Sequence, residues 1–219
     1  MSFTITTLNN KNLNMKIIAV GMNYARHNQE LGHTETGSEP VIFMKPDSAL
    51  LREGKPFFLP DFSKDMQYET EVVVRICRLG KCIAPRFAHR YYDAVTVGID
   101  FTARDLQSRF RAEGLPWELS KGFDNSAAIG RFVPLEQLGG DVQQLDFHLD
   151  IDGREVQCGH TSDMLHRVDD IIAYVSRFMT LKMGDLLFTG TPAGVGPVSV
   201  GQHLQGYLGD ENVLDFYIR

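Results

Sequence analysis

The sequence predicts an α+β fold, and two observations carry this prediction. Strand-like segments that pair as hairpins are mixed with isolated helical segments, whereas a doubly wound parallel sheet would alternate strands and helices. The clearest hairpin joins the alternating stretches 145–151 and 154–158 through Asp152-Gly153, a dipeptide that readily takes the positive φ of a two-residue turn. The chain has 219 residues without repeats or low-complexity tracts, so we expect a single domain over residues 1–219.

The other elements follow from apolar spacing and turn residues. A strand over 16–20 leads through a turn into a helix of about two turns, and Gly32 fits the position just after that helix. Pro85 suits the first turn of a helix, and Gly114 suits the end of another. Weaker strands are expected after the last core strand and a Gly/Pro-rich loop. The further predicted strands are 41–45, 69–77, 95–101 and 185–189, and the predicted helices are 85–96, 103–113 and 164–179.

Composition and charge restrict the class of partner. With 43% hydrophobic and 23% charged residues the chain is close to globular averages. The net charge of −6 and the absence of a basic stripe disfavour binding to a phosphate backbone, so nucleic acid is not an expected partner. No stretch approaches the ~18 apolar residues of a membrane span. The apolar run 17–22 is too short for a signal peptide, and we expect a cytoplasmic protein.

The cysteines indicate neither a disulfide framework nor a zinc site. Their number is odd, and Cys77, Cys82 and Cys158 form no Cys-x-x-Cys pair. No cluster of histidines and cysteines has the spacing of zinc ligands. We therefore expect reduced thiols.

Three carboxylates on two predicted strands form a candidate metal site. Glu69 and Glu71 are two residues apart, so on a strand they face the same side, separated by roughly 6.6 Å. Asp100 ends another apolar strand. Together the three could offer an all-oxygen ligand set to a hard cation such as Mg²⁺ or Mn²⁺, with positions left for water or substrate. The alternatives are a solvated strand face for the glutamates and a turn or helix cap for Asp100.

Three further side chains could supply acid–base or electrostatic catalysis. His27 and Glu30 are three residues apart on one face of the short helix, and a carboxylate beside an imidazole fixes its tautomer and raises its basicity. Lys121 lies in a loop with the only tryptophan and could stabilise a developing oxyanion. The alternatives are a surface His–Glu pair and a solvated lysine.

A glycine-rich stretch, Thr189-Gly-Thr-Pro-Ala-Gly-Val-Gly-Pro197, follows a predicted core strand. Closely spaced glycines let backbone N–H groups converge on an anion. The stretch is neither a Walker A loop nor a G-x-G-x-x-G motif. A plain tight turn is the alternative to an anion site.

Seven motifs, spread over most of the chain, resemble those of one family. They are Gly21-Met-Asn-Tyr-Ala-Arg-His27 with Glu30, Glu39-Pro-Val-Ile-Phe-Met-Lys-Pro46, Tyr68-Glu-Thr-Glu-Val72, Asp100-Phe-Thr-Ala-Arg-Asp-Leu-Gln107, Gly114-Leu-Pro-Trp117, Lys121-Gly-Phe-Asp124 and Leu187-Phe-Thr-Gly-Thr-Pro-Ala-Gly-Val-Gly196. With these motifs the chain resembles the fumarylacetoacetate hydrolase family, in particular its short acylpyruvate hydrolase type. It departs from the family pattern at Arg75-Ile-Cys77-Arg78, away from the expected metal ligands, and after Gly201.

The resemblance implies a mixed β-sandwich or β-roll of the family's C-terminal domain type, with peripheral helices, in a homodimer. It implies Mg²⁺, or else Mn²⁺ or Ca²⁺, on the three carboxylates. It gives His27 and Glu30 the role of a water-activating dyad and Lys121 that of the oxyanion lysine. The positions that match substrate-contacting ones are Arg104, Gln107, Lys45 and Thr191.

The function implied by the resemblance is metal-dependent hydrolysis of a C–C bond. The substrate would be an acylpyruvate-type 1,3-dicarbonyl acid, cleaved to pyruvate and a carboxylic acid. The same residues would serve an oxaloacetate decarboxylase or a tautomerase, and the sequence does not separate the three. A metal-dependent nuclease is disfavoured by the charge. A non-catalytic binding module is disfavoured by the presence of the complete residue set.

Overall fold

The computed structural model describes residues 15–30, 32, 38–52 and 54–219. In these ranges the α+β prediction is confirmed, with fifteen strands, five α-helices and three short 3₁₀ helices. The strands are β1 (Ile17–Gly21), β2 (Val41–Lys45), β3 (Leu50–Leu51), β4 (Met66–Tyr68), β5 (Thr70–Ile76), β6 (Tyr92–Asp100), β7 (Thr102–Ala103), β8 (Ala127–Ile129), β9 (Val133–Pro134), β10 (Asp146–Ile151), β11 (Arg154–His160), β12 (Leu186–Phe188), β13 (Gly196–Pro197), β14 (His203–Leu208) and β15 (Glu211–Tyr217). The α-helices are α1 (Ala25–Glu30), α2 (Pro85–Ala88), α3 (Arg104–Glu113), α4 (Glu118–Lys121) and α5 (Val168–Phe178). The 3₁₀ helices are Asp47–Ala49, Leu135–Leu138 and Thr161–Asp163.

A large mixed sheet forms the centre of the fold. Its strand order is β2-β1-β12-β5-β6-β8-β3, with β9 also paired to β6. The β1–β12 and β3–β8 pairs are parallel, and the other pairs are antiparallel. The central strands β5 and β6 are rich in β-branched residues that are almost completely buried, as strands covered on both faces require.

A second, antiparallel sheet packs against the first. Its order is β11-β10-β14-β15, and its inward residues, including Phe147, Leu149 and Leu204, share one hydrophobic cluster with Val72 and Val97 of the large sheet. The core therefore lies between two sheets. A small third sheet, β13-β4-β7, lies beside the ends of β5 and β6, where the candidate site is found.

Several predicted elements have the expected bounds to within a few residues. The hairpin of β10 and β11 turns through Asp152 and Gly153, whose φ angles of 54° and 75° are those that its two-residue turn needs. Gly114 ends α3 with a φ of 67°, and Gly32 has a φ of 74°. The two strands expected to be weak, β14 and β15, pair along their whole length.

Two helix predictions were too long. Pro85 begins α2 as expected, but the helix ends at Ala88 and residues from Tyr92 onward belong to β6. The aromatic and β-branched residues of that segment favour pairing with β5 over helix. The helix predicted from residue 164 begins at Val168, because Met164 forms an isolated bridge with Tyr24 instead.

The three cysteines, Cys77, Cys82 and Cys158, are free thiols. Among the described residues, no helix has both the length and the apolar character needed to cross a bilayer.

The tight packing of β6 gives a testable prediction. A Cβ at Gly98 would lie 2.6 Å from a methyl of Val73 and 2.8 Å from the carbonyl oxygen of Ala128. Because one of these atoms is backbone in the same sheet, Gly98→Ala is expected to lower the free energy of unfolding by about 1–3 kcal/mol. Urea denaturation measures this. As a control in the same strand, Asp93→Ala removes an exposed ion pair with Arg75 and is expected to cost less than about 1 kcal/mol. An equal loss in both variants would contradict the steric explanation.

Candidate metal centre and active site

Three carboxylates meet where β5 begins and β6 ends. Glu69 immediately precedes β5, Glu71 is its second residue, and Asp100 is the last residue of β6. The antiparallel register pairs Glu71 with Gly98, and the Asp100 N–H donates to the Glu69 carbonyl at 2.8 Å. One oxygen from each carboxylate lies within 4.8 Å of the others, and all three side chains are buried. The burial excludes a solvated strand face, and Asp100 is a strand residue and not the cap of the helix that follows, whose N-cap is Ala103.

Cationic side chains compensate two of these carboxylates. Lys121 Nζ donates to Glu69 Oε2 at 2.7 Å, to Asp100 Oδ2 at 2.8 Å and to Thr102 Oγ1 at 2.6 Å. Arg104 Nη2 donates to Glu69 Oε1 at 2.5 Å. Although burial opposes ionisation, the Lys121 and Arg104 charges hold the pKa of Glu69 well below its usual range.

Among the residues that the structure describes, none forms such an ion pair with Glu71. In the described part of the chain its carboxylate accepts one hydrogen bond, from the Gly190 N–H at 2.7 Å. Burial raises its pKa well above the usual value, and the charges of Asp100 and Glu69 raise it further. Among the described residues Glu71 is thus a buried carboxylate without an ion-pair partner, and the nearby Lys121 charge lowers its pKa less than burial and the other two carboxylates raise it.

The residues present fit a hard divalent cation. The ligand set is entirely carboxylate oxygen, which is the chemistry that Mg²⁺ and Mn²⁺ prefer. In the described part of the chain, Asp100 Oδ1 forms an ion pair with Lys45 Nζ at 2.6 Å but accepts no hydrogen bond of normal geometry. A cation between the three residues would therefore supply the charge that Glu71 lacks and a partner for this oxygen.

His27 lies on the lining of the same cleft, on α1. Its Nδ1 is 3.3 Å from Glu30 Oε2, and because a carboxylate only accepts, the contact assigns the ring proton to Nδ1 and leaves Nε2 as the basic nitrogen. Burial lowers the pKa of His27 more than the nearby Glu69 and Glu30 charges raise it. The imidazole is therefore neutral at neutral pH and able to accept a proton.

The glycine-rich loop holds the protein's own carboxylates. The Gly190 N–H donates to Glu71, and the Gly194 N–H lies 3.2 Å from both oxygens of Glu30. Gly190 has a φ of 97°, and a Cβ there would lie 2.7 Å from Asn23 Cβ. The loop is thus an anion-binding turn, but the anions it holds in this structure are side chains of the chain itself.

The residues expected to contact substrate fall into two groups. Arg104, Gln107 and Thr191 line the cleft, and Arg104 Nη1 donates to Gln107 Oε1 at 2.5 Å. Lys45 is placed differently: it lies behind Asp100, outside the lining, where it donates to the Lys121 carbonyl and, at 3.1 Å, to Ser126 Oγ. This arrangement fixes the positions of Asp100 and Lys121.

Sequence reasoning missed several residues of the site. Gln157, on β11, accepts from the Thr70 N–H at 2.9 Å and donates to Thr191 Oγ1 at 2.8 Å, so it joins β5 to the glycine-rich loop. No sequence signal marks this contact, because its partners are far apart in the chain. Arg111 and Trp117 also line the cleft. On the predicted helix, Arg111 is seven residues from Arg104 and four from Gln107, a spacing that places the three side chains on one face and could have indicated that Arg111 lines the cleft.

Fold and site together define a protein of two packed sheets with a buried carboxylate centre beside a neutral histidine. Comparison with known families agrees: residues 16–219 match the family model described as Fumarylacetoacetate (FAA) hydrolase C-terminal. The chain belongs to this family, and the resemblance inferred from its motifs is confirmed. Named members of the family are enzymes, including hydrolases, decarboxylases and isomerases.

Three relatives illustrate the family. The chain is 40% identical to the mitochondrial oxaloacetate decarboxylase of Dictyostelium discoideum, with 93% of each chain covered. It is 38% identical to the oxaloacetate tautomerase YcgM of Escherichia coli, with 86% of each covered. The crystal structure of fumarylpyruvate hydrolase from Pseudomonas aeruginosa in complex with Mn²⁺ and pyruvate superposes with a TM-score of 0.87 at 33% identity, covering 97% of this chain and 94% of that one. The predicted sheet architecture of the family is therefore confirmed.

The uncompensated charge of Glu71 predicts an unusual stability change. In metal-free buffer, Glu71→Gln keeps an acceptor for Gly190 and removes the buried charge, so it is expected to raise the free energy of unfolding by about 1–3 kcal/mol at pH 7. Because the folded pKa of Glu71 is raised, the wild type loses stability relative to the variant as pH rises above about 4.5, the usual glutamate value. Urea midpoints of both proteins, measured from pH 4 to pH 8, test this. A difference between the two midpoints that does not change with pH would contradict it.

The same variant is expected to weaken metal binding. Titration with Mn²⁺, followed by electron paramagnetic resonance of the free ion, should give a dissociation constant at least about tenfold higher for Glu71→Gln than for the wild type. Glu113→Gln, at the exposed end of α3, is the matched control and is expected to bind as the wild type does. Unchanged affinity in Glu71→Gln would remove Glu71 from the ligand set.

Proposed function

We propose that the chain is a divalent-metal-dependent enzyme that interconverts the keto and enol forms of oxaloacetate. The observation that carries the proposal is the neutral His27 in one cleft with a buried, undercompensated carboxylate triad. Relatives at about 40% identity are named for reactions of oxaloacetate, and both named reactions begin at the carbon next to the 2-oxo group. A homodimer, a cytoplasmic location and a single-domain chain stay predictions.

Glu69, Glu71 and Asp100 would hold the cation, with Mg²⁺ or Mn²⁺ as the proposed ion. Mn²⁺ is the ion in the related fumarylpyruvate hydrolase structure. When bound, such an ion would polarise the 2-oxo group and stabilise enolate charge.

The chain's own residues would bind the substrate and move the proton. Arg104, held by Gln67 at 2.9 Å and by Gln107, presents its guanidinium to the 1-carboxylate. His27 Nε2 removes a proton from C3 and returns it to the 2-oxo oxygen, which gives the enol without loss of any atom. Glu30 keeps the proton on Nδ1, so that Nε2 stays the base throughout.

A second candidate is the hydrolysis of an acylpyruvate. It is favoured by the His27–Glu30 contact, which is the arrangement a water-activating base requires, and by the fumarylpyruvate hydrolase neighbour. In that reaction His27 would take a proton from water as its oxygen attacks the acyl carbonyl, and Lys121 would stabilise the oxyanion. The C–C bond between the acyl carbon and C3 of the pyruvate part then breaks, and His27 returns the proton to C3, so that pyruvate and a carboxylic acid leave. Decarboxylation of oxaloacetate would use the same carboxylates and needs no water attack.

The deciding experiment separates these reactions directly. Oxaloacetate and acetylpyruvate are each incubated with the protein and about 1 mM Mg²⁺ or Mn²⁺, a level suited to weak oxygen sites, and with EDTA. Keto–enol exchange is followed by ultraviolet absorbance and pyruvate release by a coupled assay. The proposal predicts metal-dependent keto–enol exchange of oxaloacetate without release of pyruvate. Metal-dependent pyruvate release from acetylpyruvate would favour the hydrolase, and release from oxaloacetate would favour the decarboxylase.

Removal of the proposed base should abolish most activity. His27→Ala is expected to lower kcat at least about 100-fold, the usual contribution of a positioned acid–base group. His89→Ala, at an exposed position after α2, should leave kcat unchanged. A His27→Ala enzyme with near-normal kcat would contradict the assignment.

The lowered pKa of His27 predicts the shape of the pH profile. Activity requires neutral His27, so kcat/KM should fall with acid only below pH 6.5, the ordinary histidine value. Glu30 raises the pKa of His27, so Glu30→Gln should move this acidic limb to still lower pH, besides lowering the rate. An acidic limb that stays in place in the variant would rule out His27 as the titrating base.

A further inference from the structure

The cleft carries more positive charge than one substrate carboxylate needs. Among the described residues, four cationic side chains, Lys45, Arg104, Arg111 and Lys121, lie in or directly behind a cleft that holds three carboxylates, and the Glu30 carboxylate lies behind His27 of the lining. With these groups ionised and a divalent cation bound, the described part of the site has a net charge of plus two. A simple 2-oxo acid brings a single negative charge, whereas a 2-oxo dicarboxylate brings two and matches the site better.

The extra charge is placed at a defined distance from the triad. Arg104, Gln107 and Arg111 are three and four residues apart on α3, so their side chains lie on the same face of the helix. At about 1.5 Å per residue, Arg111 begins roughly 10 Å further along the axis than Arg104. Arg104 is buried against Glu69, whereas Arg111 lies at the exposed end of the lining. The helix therefore presents one guanidinium at the base of the cleft and one at its mouth.

Aromatic side chains orient the guanidinium at the mouth. The Arg111 Cζ lies 5.7 Å from the centroid of the Trp117 ring, within the range of a cation–π contact. Trp117 packs edge-on against Phe43 at 5.8 Å and covers Gly21, where a Cβ would be 3.3 Å from the indole. Arg111 is thus supported by a packed wall instead of extending freely into solvent.

Arg111 also interacts electrostatically with the base of the cleft. Burial and the Arg104 charge lower its pKa, and Glu69 raises it. An arginine under these influences stays charged at neutral pH. A substrate carboxylate between Arg111 and the triad would relieve the repulsion between the two guanidinium groups.

We propose that Arg111 is the specificity-determining residue that binds the distal carboxylate of the substrate, and that the enzyme therefore selects 2-oxo dicarboxylates. This inference rests on the proposed function for its reaction, but it concerns recognition at a residue that takes no part in proton transfer. A guanidinium and a carboxylate form charge-assisted, often bidentate hydrogen bonds, which an ester or ketone at the same position cannot replace.

The test compares two substrates that differ only in the distal charge. Oxaloacetate and its 4-methyl ester undergo the same keto–enol exchange, so kcat and KM for each report on the same step. The wild type is expected to prefer oxaloacetate in kcat/KM by about ten- to hundredfold, mostly through KM, because a distal contact is made equally in ground and transition states. Arg111→Gln should abolish this preference and leave the ester unaffected, and Arg111→Lys should restore part of it.

A matched control and a binding measurement complete the test. Arg109→Gln changes an exposed arginine of the same helix that lies over Phe110, so it should keep the wild-type preference. The sequence has one tryptophan, and Trp117 lies against Arg111, so intrinsic fluorescence measures the dissociation constants of both compounds without turnover. The dissociation constants should show that the wild type binds oxaloacetate more tightly than the ester and that Arg111→Gln loses this difference.

The outcomes distinguish recognition from reaction. Equal losses for both compounds in Arg111→Gln, or no preference in the wild type, would overturn the role of Arg111. If neither compound is turned over, the proposed function fails, and the fluorescence constants alone decide the inference. Selective binding of oxaloacetate that depends on Arg111 would then still support it, and equal binding of the two compounds would refute it.

Discussion

The site is governed by one electrostatic constraint: three carboxylates are buried together at the ends of two neighbouring strands. Charges of like sign in a low-dielectric interior raise each other's free energy steeply unless cations accompany them. Lys121 provides one such cation by bridging Glu69 and Asp100, and Arg104 provides another. Lys45 is a third cation, which pairs with Asp100 and donates to the Lys121 backbone carbonyl from behind the cleft. Much of the polar interior near the cleft therefore compensates the charges of Glu69 and Asp100.

The third carboxylate leaves this compensation incomplete. Glu71 accepts a backbone hydrogen bond from the glycine-rich loop but has no cationic partner among the described residues. An apolar or amide residue at this position would suit the fold better, because an unpaired buried charge costs stability. Local features that disfavour the folded state are expected at functional sites, and Glu71 is the member of the triad that shows this most clearly.

Short-range patterns predicted the parts of the site that lie close together in sequence. The two-residue spacing of Glu69 and Glu71 and the three-residue spacing of His27 and Glu30 fix which side chains share a face. Contacts between distant segments left no such pattern. The ion pair of Lys45 with Asp100 spans 55 positions of the sequence, and the Gln157 contact with Thr70 depends on how two sheets pack. The overlong helix after Pro85 has the same origin, since pairing with β5 decides the conformation of that segment.

Under the proposed function, the position of each group also explains how one site could serve several reactions of 2-oxo acids. The carboxylates are fixed by the register of β5 and β6 in the centre of the sheet, where a change in side-chain size disturbs packed neighbours. Glu30 is partly exposed on a two-turn helix, and Arg111 and Trp117 lie at the outer part of the cleft on helices and their connection. Substitutions of the exposed Glu30 and Arg111 cost little stability, because fewer buried contacts depend on them. Under the proposed function, substitutions at the mouth of the cleft could therefore change which substrate is bound, and whether His27 takes a proton from water or from the substrate, while the buried carboxylates are preserved.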